Sequence, residues 1–219
     1  MKIVADLHLH SKYSRAVSQQ MDLPYMAEWA QKKGIDLLGT GDFTHPLWFR
    51  ELEAKLKETA PGIYTLQSPA VPGLQAVKFV LSCEISSIYS QGGRLRRIHN
   101  LILAPGLETV RKINHELAKK GANLLSDGRP IVGLSSIQLA ELVWSVGPEC
   151  LIVPCHAWTP WFSLYGSKSG FDSIEECFGS FIDKIYAIET GLSSDPGMNW
   201  RIKELENRSI LSFFDAHSP

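Results

Sequence analysis

Asp6-Leu7-His8-Leu9-His10-Ser11 is the stretch on which the fold turns. The residues before it, Ile3, Val4 and Ala5, read as a short buried strand. Side chains alternate faces along a strand, so His8 and His10 point the same way. Two neutral imidazoles side by side at a strand end suit a divalent ion such as zinc or manganese. The same pair also fits a polar strand end, and the positions of the other histidines decide between the two.

Around that stretch lies a chain of 219 residues, enough for one sizeable core or one barrel-like α/β domain. A formal charge of −1 gives no global attraction to nucleic acid or membrane, so a polyanionic partner needs a local basic patch. Cys83, Cys150, Cys155 and Cys177 show no CxxC spacing and no secretory leader precedes them, which predicts reduced core thiols. No run approaches the roughly 18 apolar residues of a membrane span. The expectation is a soluble, cytoplasmic protein without a membrane partner.

Apolar strand-like runs alternate with helical patterns, the signature of βαβ units around a mainly parallel sheet. A helix starts at Leu23-Pro24 and stops at Gly34, and a strand covers Ile35–Thr40. Phe49–Glu58 reads as a helix. Ile63–Leu66 and Val77–Ile85 read as strands joined by a Pro/Gly-rich link, and Tyr89–Arg97 as a polar turn before the strand Ile98–Ala104. Helices over Leu107–Lys120 and Ser136–Val146, the second capped by Ser135 or Ser136, flank a long loop. Leu151–Cys155 is a buried strand ending at His156, followed by an aromatic loop and a short helix near Ile174–Phe178. Ile185–Glu189 is a strand, Asn199–Asn207 a helix, and Ile210–Phe214 a last strand that delivers Asp215 and His217.

Of the 7 histidines, His8, His10, His45, His99, His156 and His217 fall at or just past a strand end, whereas His115 lies inside a helix. Asp42, Glu84 and Asp215 occupy matching places. In a closed parallel barrel the C-terminal strand ends meet at one rim, where the chemistry is found. Repetition of ligand-type residues at these places predicts a multinuclear metal site.

The same residues carry a resemblance. Asp6-Leu7-His8-Leu9-His10-Ser11, Gly39-Thr40-Gly41-Asp42, Cys83-Glu84, His99-Asn100, Pro154-Cys155-His156 and Asp215-Ala216-His217 are similar to the motifs of the polymerase and histidinol phosphatase (PHP) superfamily, in order along the whole chain. The resemblance implies a distorted (β/α)7 barrel over residues 1–219, with two or three divalent ions at its rim, zinc first and manganese or iron as alternatives. It also implies phosphoester hydrolysis. Three stretches outside the ligand motifs resemble the endonuclease Q branch: Gly92–Ile102, Ser126–Ile131, and His156–Ser163 continuing through Gly166–Phe171. That branch implies damaged DNA as partner, nicked on the 5′ side of deaminated bases (hypoxanthine, uracil, xanthine) and of abasic sites.

Two departures stand out. Asp42 is followed by Phe43 where the superfamily has Asp-His, so either His45 takes over a ligand position or that position is vacant. Phe214 stands where a small polar residue is expected. The branch also continues past the last metal motif into a cysteine-rich zinc module, so the chain is expected to be a barrel fragment of a longer protein.

The implied ligand set is His8, His10, Asp42, His45, Glu84, His99, His156, Asp215 and His217. Bound divalent ions would outweigh the three carboxylates and leave the pocket positive for a phosphodiester and a hydroxide. Glu84, having two oxygens, is the candidate bridge between ions, and Asp215 the candidate water-orienting ligand; these two are the catalytic candidates. Arg94, Arg96 and Arg97 form the dense basic cluster and are candidates for phosphate contact, with Arg129 and Lys168 behind them. Trp158 and Trp161 could wall a base turned out of the duplex, or simply plug the rim. Rival readings are a PHP phosphatase acting on a small phosphorylated metabolite, and a barrel kept as a structural or metal-binding module.

Overall fold

A computed structural model describes residues 2–68 and 76–219. In chain order the elements are β1 (Ala5–Asp6), α1 (Leu23–Lys33), β2 (Leu37–Gly39), α2 (Pro46–Lys55), β3 (Leu56–Ala60), β4 (Ile63–Leu66), β5 (Lys78–Gln91), β6 (Arg94–Ala104) and α3 (Leu107–Lys119). There follow β7 (Ile131–Val132), α4 (Ser136–Val146), β8 (Leu151–Pro154), α5 (Ile174–Phe178), β9 (Ala187–Glu189), α6 (Pro196–Asn199) and β10 (Ser209–Leu211). The result is a mixed α/β protein in which two compact units divide the chain.

The first unit comprises Met1–Cys83, Leu103–Pro130 and Phe214–Pro219. Here β1, β2 and the first part of β5 run parallel, with Asp6 paired to Leu38 and Gly39 to Val80. β4 adds antiparallel through Tyr64 and Phe79, and β3 pairs antiparallel with β4. Helix α1 forms where the sequence predicts. The Asp22 side chain accepts from the Tyr25 amide, proline occupies the first turn, and Leu23, Met26, Ala27 and Ala30 make one buried stripe. Phe43, Trp48, Leu52, Phe79 and Leu81 are fully buried. The Trp48 indole N–H is satisfied by the Thr40 and Gly41 carbonyls, the condition for burying a ring of that size with a polar atom on it.

The second unit comprises Glu84–Ile102 and Ile131–Phe213. In it β6 pairs with β5 and β8, and β7 pairs parallel with β5. β9 and β10 form a separate parallel pair, Glu189 opposite Leu211. Helix α4 begins in a capping box: Ser135 accepts from the Gln138 amide and Gln138 accepts from the Ser135 amide. Ile98, Leu139, Val143, Ile174, Phe178 and Ile188 are buried without exposure.

Several expectations need correcting. The closed barrel is not found among the described residues, because several strands are two or three residues long and β9 and β10 pair only with each other. Ile3 and Val4 are exposed, and β1 begins only at Ala5. The expected turn over Tyr89–Arg97 is instead a hairpin. β5 runs to Gln91, β6 starts at Arg94, and Gly92 and Gly93 both take positive φ, as a tight two-residue hairpin turn demands. The expected helix Phe49–Glu58 lies earlier, beginning at Pro46 and giving way to β3 at Leu56. The helix expected over Asn199–Asn207 is two short pieces, α6 and a 3-10 turn at Lys203–Leu205. Most of the Pro/Gly-rich link, residues 69–75, lies outside the described residues. All four cysteines are buried and outside any disulfide among the described residues, and burial pushes the Cys150 thiol up to about 11 and Cys177 to about 12, as inert core thiols require.

Candidate functional site

In the first unit a parallel bridge between Leu9 and Ala216 brings the two ends of the chain's motif series together. The His10 amide donates to the Ala216 carbonyl (3.0 Å) and the Ala216 amide to that of His8 (3.4 Å). This places one donor atom each of His8, His10 and Asp215 within 4.8 Å of one another. Nε2 of His10 stands 3.0 Å from Oδ1 of Asp215, and Nε2 of His8 stands 3.6 Å from the same oxygen. Donors 2.0–2.2 Å from a tetrahedral ion are about 3.4 Å apart, so this spacing already matches a coordination shell.

Asp42, a candidate ligand in the sequence, lies behind His10. Its Oδ1 accepts from Nδ1 of His10 (3.0 Å), while Oδ2 accepts from the Ser11 amide (2.6 Å), the Ser11 hydroxyl (2.7 Å) and the Ser14 hydroxyl (2.9 Å). A proton held on Nδ1 leaves the Nε2 lone pair of His10 for an ion, the usual division of labour between a ligating imidazole and the carboxylate behind it. Gly128, from the Ser126–Ile131 stretch, closes over this carboxylate: a Cβ there would lie 2.3 Å from Asp42 Oδ2. His217 donates through Nδ1 to the Asp215 carbonyl (2.7 Å), and its ring lies 4.8 Å from that of His10.

His45 stands immediately before α2, outside the three-donor group. Its Nε2–H donates to the Leu125 carbonyl (3.2 Å) and its ring stacks on Tyr13 at 4.5 Å. Burial lowers its pKa despite that carbonyl. Its Nδ1 is buried and makes no hydrogen bond among the described residues.

The second unit holds another donor set, Glu84, His99 and His156, whose donor atoms again lie within 4.8 Å of one another. Glu84 Oε1 is 2.6 Å from Nδ1 of His99 and 3.3 Å from Nε2 of His156. Thr159 fixes the tautomer of His156. Its single hydroxyl proton is best placed toward the Trp161 carbonyl (2.8 Å), so Oγ1 accepts from His156 Nδ1–H (3.1 Å) and Nε2 keeps its lone pair. Phe162 backs His99, with ring centroids 4.6 Å apart and its carbonyl accepting the His99 amide (3.1 Å).

Backbone strain concentrates here. Among the described residues five non-glycine residues have positive φ, and Asp42 (49°), His156 (31°), Phe162 (61°) and Asp215 (51°) are four of them. Such conformations cost about 1–3 kcal/mol each, less for Asp, and persist where surrounding structure over-determines them. The donors themselves, neutral imidazoles and carboxylates without thiolate, fit zinc, manganese or iron(II).

The substrate candidates separate. The Arg96 guanidinium donates to the Gly170 carbonyl and lies over the Phe171 ring at 4.0 Å, so it ties the aromatic loop to β6. Arg97 lies over Trp161 (5.0 Å) and Phe162 (5.6 Å), and Trp161 is half exposed. Trp158 is spoken for: its N–H donates to Asn199 (2.8 Å) and its ring stacks on Tyr165. Arg94 and Lys168 are exposed, and Arg129 is half-buried beside Asp127 in the first unit. Sequence reasoning missed Ser14, Thr159 and Glu189. Glu189 alone carried a signal, since it closes a strand, β9, much as His156 follows β8.

No family model matches the chain. The chain nevertheless shares the fold of endonuclease Q, and its His/carboxylate donor sets are candidates for binding metal. A complex of endonuclease Q with a 27-mer duplex bearing an abasic lesion superposes with a TM-score of 0.85 at 37% identity, over 100% of this chain and 50% of that one. The lesion-specific endonuclease Q of Pyrococcus furiosus gives 0.84 at 36%, over 100% and 49%. A Bifidobacterium adolescentis protein assigned as a metal-dependent phosphoesterase shares the fold more distantly, at 0.53 and 13%, over 99% of this chain and 89% of that one. YqxK of Bacillus subtilis, itself uncharacterised, is 30% identical over 227 residues, 99% of this chain and 55% of YqxK. The chain thus spans about half the length of endonuclease Q and of YqxK.

Proposed function

We propose that this chain is the metal-binding part of a DNA repair endonuclease of the endonuclease Q kind, acting within the cell on deaminated bases and abasic sites and nicking on their 5′ side. The observation that carries the reading is the pairing of two His/carboxylate donor sets with an endonuclease Q fold at 37% identity over 100% of the chain. Divalent ions, two or three with zinc first, would supply a hydroxide near neutral pH and neutralise the charge on the leaving 3′ oxygen. The chain's own residues do the rest. His8, His10 and Asp215 hold ions in the first unit, and Glu84, His99 and His156 hold them in the second. Asp42 and Thr159 keep the Nδ1 protons in place, so that Nε2 is the donor of both His10 and His156. Arg97, lying on Trp161, offers a guanidinium to a backbone phosphate, and the exposed face of Trp161 offers a stacking surface.

The test is incubation of the zinc- or manganese-loaded protein with duplexes carrying one uracil, hypoxanthine, xanthine or abasic site, beside an undamaged duplex. Asp215→Ala and p-nitrophenyl phosphate serve as controls. Nicking 5′ of the lesion that the variant loses is expected. Hydrolysis of p-nitrophenyl phosphate without nicking would replace this reading with that of a small-metabolite phosphatase.

A further inference from the structure

We infer that Glu189 is a positioning residue for His156, acting on the main chain and not on the imidazole. The inference rests on the reading of His156 as a metal donor. His156 follows β8 with φ at 31°, a backbone conformation uncommon for any residue but glycine. Glu189, at the end of β9 and fully buried, grips two successive amides of that bend. Its side-chain Oε2 accepts the His156 N–H (3.1 Å), and its carbonyl accepts the Ala157 N–H (2.8 Å). What matters is an acceptor oxygen at that reach, charged or neutral, and burial keeps water from competing for the bond. Gly191 completes the bed, because a Cβ there would lie 2.5 Å from the His156 Cβ. With Thr159 holding Nδ1, the imidazole is fixed at its amide, its stem and its far nitrogen. The Glu189–Gly191 segment therefore determines where Nε2 of His156 points.

Two conservative variants separate this role from that of a direct ion donor. Glu189→Gln keeps the reach and an acceptor oxygen but loses the charge, whereas Glu189→Asp keeps the charge and draws the acceptor back by one carbon. Zinc affinity by calorimetry, metal content, and the visible spectrum of the cobalt-loaded protein are measured for both, with His156→Ala alongside and circular dichroism to confirm folding. The expected result is that His156→Ala and Glu189→Asp each weaken zinc binding 10–100-fold and alter the cobalt spectrum. Glu189→Gln stays within about threefold of the parent. The reverse order, with Asp tolerated and Gln not, would show that Glu189 acts as an anion or ligand and overturn the inference. So would parent-like affinity in both Glu189 variants while His156→Ala is impaired. Parent-like affinity in His156→Ala would instead remove the donor role of His156, and the inference with it.

Discussion

Asp42 Oδ1 and His10 Nδ1 lie 3.0 Å apart, both fully buried, while Ser11 and Ser14 fill the other carboxylate oxygen with three donors. Every acceptor site facing the protein is used, so the carboxylate works as a fixed support. Asp42→Ala should therefore release the His10 ring and weaken zinc binding by the first-unit donors about 10–100-fold. Asp42→Asn, which can still accept at one oxygen, should fall between that variant and the parent. Calorimetric titration with zinc reads both, and unchanged affinity in Asp42→Ala would rule out the supporting role.

Gly128 sits against the same carboxylate with no room for a side chain. Gly128→Ala forces Asp42 and Ser14 apart and should destabilise the protein by about 1–3 kcal/mol, the usual cost of overpacking. Urea unfolding checks the size, and zinc titration of the same variant should show weaker binding.

Arg96 and Arg97 are neighbours in sequence with opposite expected phenotypes. Arg96→Ala loses a hydrogen bond to Gly170 and a cation–π contact worth about 0.5–1 kcal/mol, so it should lower Tm and leave the salt dependence of DNA binding unchanged. Arg97→Ala should weaken binding to all sequences alike. It should also reduce the slope of log K against log salt by about 1, read by fluorescence anisotropy across a salt series.

Glu51 predicts a pH dependence. Burial pushes its carboxyl upward, but hydrogen bonds from Lys12, Lys55 and Tyr13 outweigh that and bring the pKa down to about 2 from 4.5. A depressed carboxylate contributes stability that is fully present above its unfolded value and is lost as pH falls through its folded one. The Tm difference between the parent and Glu51→Gln should be largest above pH 4.5 and shrink steadily toward pH 2. A difference that does not vary over that range would remove Glu51 as its source.

Removing the ions should cost stability as well as activity. A ligand present at 100 times its Kd stabilises the folded state by about 2.7 kcal/mol, which for a chain of this size is roughly 5–10 °C in Tm. A chelator should lower Tm by that order and added zinc should restore it.

Several candidate donors were legible because a strand end is a place that sequence pattern can find. His8 and His10 follow β1, His156 follows β8 and Asp215 falls just past the last expected strand, whereas Glu84 and His99 lie inside β5 and β6, which run further than the sequence suggested. What escaped was whatever depends on a second segment. Asp42 belongs to a ligand motif in sequence, yet it faces serines that only the Ser11–Ser14 bend can deliver. Nothing local in Glu189 says that its carboxylate will meet the amide of His156. The hairpin over Tyr89–Arg97 was hidden for a different reason, since its polar residues look like a turn although the backbone ladder continues through them. Arg96 and Arg97 have the same local composition, and only the rings above which they settle tell them apart.

The left-handed backbone at Asp42, His156 and Asp215 ties the proposed ion donors and the carboxylate behind His10 to unusual bends of the main chain. Glycine at these positions should yield a sturdier protein than alanine does, while weakening zinc binding as the alanine variants do. On the proposed metal-dependent reading, a drift toward robustness would therefore pull directly against retention of ion binding.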